Sequence, residues 1–260
     1  MLKTLQLISG TYPRRIIKSI KALPWYRNSR KEFIKKTKME GNTFPVLKNY
    51  PCLRDRDDEG GVASGHYFHQ DLLVAQEVFK ANPYRHVDIG SRIDGFVGHV
   101  SCYREIEVMD IRELTSTIPN IKFLQADFMN PLPEKYRNYT DSISSLHAME
   151  HFGLGRYGDP IDVNGHLKGL ENAYEMLKPG GIFYFSVPMG PQRVEFNAHR
   201  VFSLKYLTDY FSDKYLIKSF FYVDDKGDLH RDTEITEQRI ADNCGCNYGC
   251  GIFILQKKMG

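Results

Sequence analysis

Cysteine is scarce in this chain, and long uncharged apolar runs are absent from it. Five cysteines in 260 residues are too few for a disulfide scaffold, which favours a reducing compartment. No uncharged apolar run approaches the roughly 18 residues that a membrane span requires. The Arg14-Arg15 pair has no apolar segment after it, which excludes a twin-arginine export signal. We therefore expect a cytoplasmic protein, whose 42% hydrophobic composition suffices for one large core.

Glycine is sparse in the turn that would hold a nucleotide. An apolar run ending in Asp88 is followed by a turn at Gly90 and by a helical pattern over residues 95–103. The next apolar run, residues 106–109, ends in Asp110. This order predicts a βαβ unit, whose first turn offers backbone N–H groups to an anion and whose second strand brings a carboxylate to ribose hydroxyls. A full dinucleotide turn has three glycines, and other residues occupy two of those places here. A doubly wound fold that binds no nucleotide is the alternative.

Apolar runs and helical patterns alternate along the rest of the chain. Helical spacing is found over residues 66–80, 165–177 and 203–211, and Ser203 is the predicted N-cap of the last of these. The predicted strands are residues 87–89, 106–109, 121–126, 142–146, 182–187, 215–223 and 251–256. Because the last two are close in sequence, we predict an α/β, Rossmann-like fold. Its seven-stranded sheet should be mostly parallel and end in an antiparallel C-terminal hairpin.

Positive charge is concentrated near the N-terminus. Residues 1–40 contain eleven Lys or Arg and two acids, a net charge of +9, so the remainder carries −6 of the total of +3. One helical face there is apolar and consists of Ile16, Ile17, Ile20 and Leu23. Such a helix would contact the anionic inner face of a membrane, pack on the main domain or bind a partner. We predict a basic N-terminal helical extension, residues 1–45, before a main domain of residues 46–260. Nucleic-acid binding is not expected, because the rest of the chain is acidic and has no reader motif.

The order of motifs resembles that of the class I S-adenosylmethionine-dependent methyltransferases. Residues 88–95, 146–151 and 177–181 carry this likeness. Residues 88–95, 199–203 and 248–251 more narrowly resemble the domain-of-unknown-function 268 family, which is methyltransferase-like. The resemblance spans residues 50–257 and implies the class I methyltransferase fold with S-adenosylmethionine as cofactor. The family's association with surface-polysaccharide genes implies polysaccharide biosynthesis, with a small-molecule or saccharide acceptor.

The same resemblance assigns the predicted cofactor residues. In that family the first turn holds the methionine part, the acid after strand two holds the ribose, and the acid after strand three touches the adenine amine. The matching residues are Asp88 with Gly90, then Asp110, and then Asp127.

Side-chain chemistry extends this predicted pocket. Backbone donors near Gly90 and Ser91 and the guanidinium of Arg92 would meet the cofactor carboxylate, and Asp88 would meet its ammonium. Phe128 and His147 complete the predicted cofactor-binding set. Other roles remain open for three of these residues, namely a surface ion pair for Arg92, a helix N-cap for Asp110 and a core position for Phe128.

Candidate catalytic residues follow the fourth and fifth predicted strands. Methyl transfer to a hydroxyl requires a positioned acceptor and a base that removes its proton. His151 and His199 are the favoured bases, because imidazole titrates near neutral pH, and Glu150 is a further candidate. Orientation of the loop or capping of a helix is the alternative role for these histidines. Asp159 and His166 are weaker candidates on the segment 153–165, which would be either a substrate lid or a plain surface connection.

We predict no metal site, although three patterns invite one. Residues 147–151 match the H-x-x-E-H pattern of one zinc-peptidase class, but they start at a strand end within an α/β series. Glu150 and His151 resemble the magnesium-binding pair of some quinone-type O-methyltransferases, which leaves magnesium as a minor alternative. Cys244, Cys246 and Cys250 lack C-x2-C spacing and are interpreted as small residues of a glycine-rich turn.

The predicted function is methyl transfer from S-adenosylmethionine to a hydroxyl of a small molecule or of a saccharide or glycan precursor. Three alternatives stay open: a non-catalytic partner or scaffold protein with this fold, a nicotinamide-dependent oxidoreductase, and a zinc hydrolase. The oxidoreductase is disfavoured because the three-glycine turn and a Tyr-x3-Lys pair are both lacking.

Overall fold

The computed structural model describes residues 13–41, 44, 48–58 and 60–259. The chain divides into two units, residues 1–62 and residues 63–260. Residues 1–12 of the predicted basic extension lie outside the described residues. The predicted domain boundary between residues 45 and 46 stays a prediction.

The first unit is built on one long helix, α1 (Pro13–Glu40), which contains Pro24. Its predicted apolar face is largely exposed, with Ile16 at 52%, Ile17 at 53% and Ile20 at 60%. Within the part of the chain that the structure describes, neither this helix nor any other is long and apolar enough to cross a membrane.

The second unit contains a sheet of eight strands with helices on both faces. Its helices are α2 (His66–Ala81), α3 (Gly98–Ser101), α4 (Gly165–Met176), α5 (Leu204–Ser212) and α6 (Glu237–Asp242). Its strands are β1 (His86–Ile89), β2 (Ile106–Asp110), β3 (Ile121–Gln125), β4 (Thr140–Leu146), β5 (Leu177–Met189), β6 (Arg193–Glu195), β7 (His199–Val201), β8 (Tyr215–Val223), β9 (Leu229–His230) and β10 (Gly249–Lys257). The order in the large sheet is β3-β2-β1-β4-β5-β10-β8-β9, and β6 pairs with β7 alone.

Strand direction follows the prediction. Strands β1 to β5 are mutually parallel, whereas β10 runs antiparallel to both β5 and β8. The mostly parallel α/β sheet with an antiparallel C-terminal pair is therefore confirmed. The two-residue strand β9 and the β6–β7 hairpin were not predicted, because such short segments carry little periodic signal.

Two apolar clusters hold the helices against the sheet. One unites the aromatic side chains of β5, α5 and β10 with the inner face of α4, and includes Phe183, Phe211 and Phe253. The other packs α2 and α3 on the opposite side, around Leu73 and Phe96. These buried faces fix the edge at which β1 to β4 end, and the candidate site lies at that edge.

The predicted helix after β1 is less regular than its pattern suggests. Residues 93–97 form a single π-helical turn before α3, and Gly95 has the non-helical dihedral angles φ −132° and ψ −113°. A Cβ at Gly95 would lie 2.3 Å from Asp71 Oδ2, so a larger residue there would require the Asp71 carboxylate on α2 to move. The prediction of a continuous helix over residues 95–103 is wrong in this detail.

Candidate cofactor-binding and catalytic site

A cavity of about 500 Å³ opens where β1, β2, β3 and β4 end. Eight of the predicted site residues line it: Gly90, Ser91, Arg92, Asp110, Asp127, Phe128, His147 and His151. Three others, Asp88, Glu150 and His199, are not among its lining residues. Carboxyl ends of parallel strands are where open α/β sheets bind ligands, so the fold itself brings these residues together.

The turn after β1 depends on Gly90. Its φ of +71° favours glycine, and a Cβ there would lie 3.0 Å from Ala148 Cβ. Its N–H donates to the carbonyl of Met109 at 2.9 Å, which ties the turn to β2. The hydroxyl of Ser91 accepts from the N–H of Leu146 at 3.0 Å and so ties the same turn to β4.

Asp88 supports this turn from beneath the cavity. Its side chain is fully buried and accepts hydrogen bonds from the Ser91 N–H, the Ser91 hydroxyl and the Ser144 hydroxyl. Burial, helped by the charge of Asp110, raises the pKa of Asp88 to about 7, although these donors oppose the shift. The predicted contact of Asp88 with a cofactor ammonium stays a prediction, since the carboxylate does not line the cavity.

Asp110 ends β2 at the cavity and is paired with Arg112. The guanidinium of Arg112 donates to both carboxylate oxygens, and the Arg112 N–H donates to Oδ1 at 2.8 Å. The same guanidinium lies 4.5 Å from the ring centre of Tyr157. The Asp110 side chain keeps 12% of its surface exposed. It therefore has a local turn-capping role with both carboxylate oxygens engaged by Arg112, and it lines the cavity.

Asp127 and Phe128 follow β3 and line the same cavity. The Asp127 carboxylate accepts from the Met129 N–H at 3.0 Å and from the Asn130 amide at 3.2 Å. Phe128 is only 3% exposed and belongs to the larger apolar cluster, so its core role and its position at the cavity coexist.

Arg92 forms the surface ion pair that was the alternative to a ligand contact. Its guanidinium donates to both oxygens of Asp94, at 3.0 and 2.7 Å, and lies 5.1 Å from the ring centre of Tyr67. The Arg92 side chain is 52% exposed. Its predicted role with the cofactor carboxylate stays a prediction.

Glu150 is fully buried and lies between two histidines. Its Oε1 is 2.9 Å from His147 Nδ1 and 3.6 Å from His151 Nε2. Burial alone would raise the pKa of Glu150, but the charges of His147 and His151 and the hydrogen bond with His147 lower it. His147 adopts a φ of +51°, an uncommon conformation for a side chain of this size, at a cavity-lining position.

His151 lines the cavity in a form suited to accept a proton. Its Nδ1 lies 2.6 Å from the Ala198 carbonyl, which only accepts, and 3.3 Å from Arg156 Nη1, which only donates. Because the contact with the carbonyl is the shorter, we assign the ring proton to Nδ1. The unprotonated Nε2 then faces Glu150. Burial lowers the pKa of His151 despite the opposing charge of Glu150, so the ring is neutral near pH 7.

His199 lies behind this group. Its ring centre is 6.4 Å from that of His151 and 5.2 Å from that of Tyr248. Its Nε2 is 3.4 Å from a carboxylate oxygen of Glu195. Burial lowers the pKa of His199. The geometry therefore brings His151, but not His199, to the cavity.

The segment of residues 153–165 forms one wall of the cavity. Asp159 accepts hydrogen bonds from the N–H groups of Gly153, Gly155 and Tyr157 and so holds the segment folded. His166 is bonded to the Tyr206 hydroxyl at 2.8 Å, outside the cavity, and burial lowers its pKa to about 4. The hydrogen bonds of Asp159 and His166 therefore give each residue a structural role in holding its segment in place.

Among the lining residues that sequence reasoning did not single out are two arginines and two tyrosines, namely Tyr67, Arg112, Arg156 and Tyr157. Arg156 and Tyr157 belong to the segment predicted as a lid or connection, which was their only signal. Arg112 stands two residues beyond a predicted ribose ligand. Tyr67 begins a helix, and nothing in its spacing points to a cavity.

The cysteines predicted as turn residues do not gather as a triad of metal ligands. Within the described part of the chain, no group of potential ligands unites Cys244 with Cys246. Burial raises the pKa of Cys244 to about 11 and that of Cys246 to about 12, which disfavours their thiolates.

The sequence profile of a family described as "Caenorhabditis protein of unknown function, DUF268" matches residues 103–257, more than half of the chain. The chain belongs to the DUF268 family. The predicted resemblance to this family is therefore confirmed, and the strand order agrees with the predicted Rossmann-like α/β fold. No sequence among curated proteins matches this DUF268 protein.

Solved structures resemble the DUF268 chain at low sequence identity. The [4+2]-cyclase SpnF is 14% identical, with a TM-score of 0.51 over 78% of this chain and 86% of that one. The N-methyltransferase NodS from Bradyrhizobium japonicum WM9, in complex with S-adenosylhomocysteine, is 10% identical with a TM-score of 0.48 over 78% and 94%. The 1,6-didemethyltoxoflavin-N1-methyltransferase from Burkholderia thailandensis is 12% identical with a TM-score of 0.48 over 92% and 91%. At such identities the likeness concerns the fold alone.

Proposed function

We propose that this protein transfers a methyl group from S-adenosylmethionine to a hydroxyl of a small molecule or saccharide precursor. One observation carries the proposal: a single cavity collects the glycine turn after β1, the acids after β2 and β3, and a neutral histidine after β4. Its volume of about 500 Å³ lies within the usual range of roughly 300–1,000 Å³ for small-molecule sites.

The residues of the cavity fit this cofactor. The N–H groups of Gly90 and Ser91 already donate to Met109 and Asp88, so the guanidinium of Arg92 is the proposed donor to the cofactor carboxylate. Asp110 would accept the two ribose hydroxyls, and Asp127 would accept the adenine amine. When bound, S-adenosylmethionine supplies an electrophilic methyl group on its sulfonium.

His151 is the proposed general base. Its Nε2 would take the proton of the acceptor hydroxyl, and the Glu150 carboxylate, 3.6 Å away, would stabilise the imidazolium that forms. The hydrogen bond from Nδ1 to the Ala198 carbonyl fixes the ring so that Nε2 is the atom that accepts. His199, outside the cavity, would act only through its neighbours.

A hydroxyl acceptor is the better match because it must lose a proton. The pair of Glu150 and His151 provides for that loss, and the wall of Arg156 and Tyr157 offers polar contacts for the remainder of the acceptor. A saccharide precursor is proposed as one class of such hydroxyl acceptors.

Calorimetric titration tests the cofactor proposal. The wild type should bind S-adenosylhomocysteine and not NAD. Asp110→Ala should weaken binding about 10–100-fold, because it removes charge-assisted hydrogen bonds worth about 1.5–3 kcal/mol, and 1.4 kcal/mol corresponds to a factor of ten. Asp213→Ala, at an exposed aspartate that does not line the cavity, is the matched control and should leave the affinity unchanged. Binding of NAD instead, or equal binding by folded Asp110→Ala protein, would refute the respective assignment.

A further inference from the structure

Three potential metal ligands meet beside the cavity although they lie far apart in the sequence. His66 begins α2, His147 follows β4, and Cys250 lies in β10. One ligand atom from each lies within 4.8 Å of the other two. The rings of His66 and His147 are stacked, with centres 5.2 Å apart.

The cluster contains a buried ring nitrogen without a partner. His147 Nε2 is inaccessible to solvent and makes no hydrogen bond of normal geometry with a described residue, whereas Nδ1 meets Glu150. The Cys250 side chain interacts with the same ring. His147 is 8% exposed, and the neighbouring Cys250 is fully buried. An unsatisfied buried polar atom is destabilising, and a bound cation would satisfy it.

The surroundings have the arrangement found around metal-binding histidines. Such a histidine usually bonds its second nitrogen to a carboxylate or a carbonyl, which fixes the tautomer and directs the other nitrogen at the metal. Glu150 does this for His147 at 2.9 Å, and the backbone of Tyr248 forms a hydrogen bond with the His66 ring. The Gln70 Oε1, 3.6 Å from Cys250 Sγ, adds an oxygen to the same pocket.

We propose that His66, His147 and Cys250 bind a divalent transition-metal ion of the zinc type. Two imidazole nitrogens and one thiolate suit zinc, which bonds nitrogen at roughly 2.0–2.1 Å and sulfur at about 2.3 Å. Those bond lengths require ligand atoms about 3.5 Å apart, so binding would draw the three groups together. His66 is half-buried at a helix start and is the least buried of the three ligands. A fourth position remains for an oxygen ligand.

This site differs from the metal patterns considered in the sequence. It uses only one cysteine of residues 244–250 and only the first histidine of residues 147–151. His147 also lines the cavity, so the ion would lie at the cavity's edge. The inference departs from our prediction of no metal, and it does not depend on methyl transfer.

Cobalt substitution tests the site directly. The full chain is stripped with a chelator and titrated with Co²⁺, whose bond to a thiolate produces a charge-transfer band in the near ultraviolet. The wild type should show this band and saturate at one equivalent, and Zn²⁺ should displace the Co²⁺. Cys250→Ser should abolish the band, whereas Cys246→Ser, at another buried cysteine, should leave it unchanged.

A second variant keeps the test decisive if Cys250→Ser does not fold. Losing an outer-shell partner typically weakens metal affinity 10–100-fold, so His66→Gln, which removes a ligand, should weaken Co²⁺ binding at least about 100-fold. His69→Gln, at a nearby histidine outside the cluster, should bind as the wild type does. Absence of the band in folded wild-type protein would overturn the proposal. So would a band that survives Cys250→Ser, or equal affinity of His66→Gln and the wild type.

Discussion

Replacing Gly90 with alanine should destabilise the second unit by an amount that separates into two parts. The left-handed backbone, with φ of +71°, costs an alanine about 1–2 kcal/mol. The new methyl group would lie 3.0 Å from Ala148 Cβ, and crowding of this kind in a packed interior costs about 1–3 kcal/mol. We therefore expect the free energy of unfolding to fall by about 2–5 kcal/mol, measured in urea at 25 °C.

A matched control separates the two parts. Gly158 has a φ of +84°, and no atom lies within 4 Å of the position that an alanine Cβ would take there. The loss of stability in Gly158→Ala should therefore come from the left-handed backbone alone. Ala148→Gly in the Gly90→Ala background removes the crowding methyl and should restore at least about 0.5 kcal/mol beyond additivity. Equal effects of Gly90→Ala and Gly158→Ala, together with strict additivity of the pair, would refute this reasoning.

Three further perturbations test the base, the buried histidines and the basic arm. His151→Gln should lower turnover about 10²–10⁴-fold, assayed as S-adenosylhomocysteine released with an acceptor that the wild type methylates, while leaving cofactor affinity unchanged. His199→Gln should keep most of the turnover, and the opposite pattern would move the base to His199. Burial lowers the pKa of His86 to about 3. Between pH 6.5 and pH 3 the unfolded chain therefore binds a proton at this histidine that the folded chain does not. For each unit by which the pH is lowered in that range, this group should reduce the free energy of unfolding by about 1.4 kcal/mol. His86→Gln should remove that increment between pH 6 and pH 4 in urea titrations, and an unchanged slope would contradict the assignment. The chain should co-sediment with anionic vesicles in a salt-sensitive way, and a chain without residues 1–40 should not; equal sedimentation of both, or of neither, would exclude the membrane role.

Much of the sheet was predictable because buried strands and their ends leave a strong local signal. The runs ending in Asp88 and Asp110 gave β1 and β2 within a residue of their ends. The Ser203 side chain accepts from the Tyr206 N–H, as its predicted N-cap role requires. The helix before β5 ends at Met176, next to the predicted stop at residues 178–181.

Tertiary packing decided what local patterns could not. The apolar spacing that predicts α2 runs through Phe68, Leu72, Ala75, Val78 and Phe79, of which only Ala75 and Val78 are buried. The buried face is completed by Leu73 and Val74, which lie outside that spacing. Apolar periodicity establishes that a helix forms, but the choice of face depends on where the sheet and α3 lie.

The candidate site likewise contains some residues that local sequence patterns predict and others that only tertiary packing brings in. Residues directly after strands, such as Gly90, Asp110 and Asp127, reach the cavity because parallel topology determines where strand ends meet. Contacts between residues far apart in the sequence cannot be predicted from local patterns. The contact of Arg112 with the Tyr157 ring and the meeting of His66 with Cys250 depend on side-chain directions that spacing does not encode.

The position of β10 has a consequence for synthesis on the ribosome. This last strand in the sequence sits inside the sheet and pairs with β5 over residues 249–256 and with β8 over residues 250–257. Until it emerges, both partners expose an unpaired edge next to aromatic side chains, which is a template for aggregation. The second unit should therefore complete its sheet only after translation of β10, and a nascent chain halted before residue 249 should depend on chaperones that cover open strand edges.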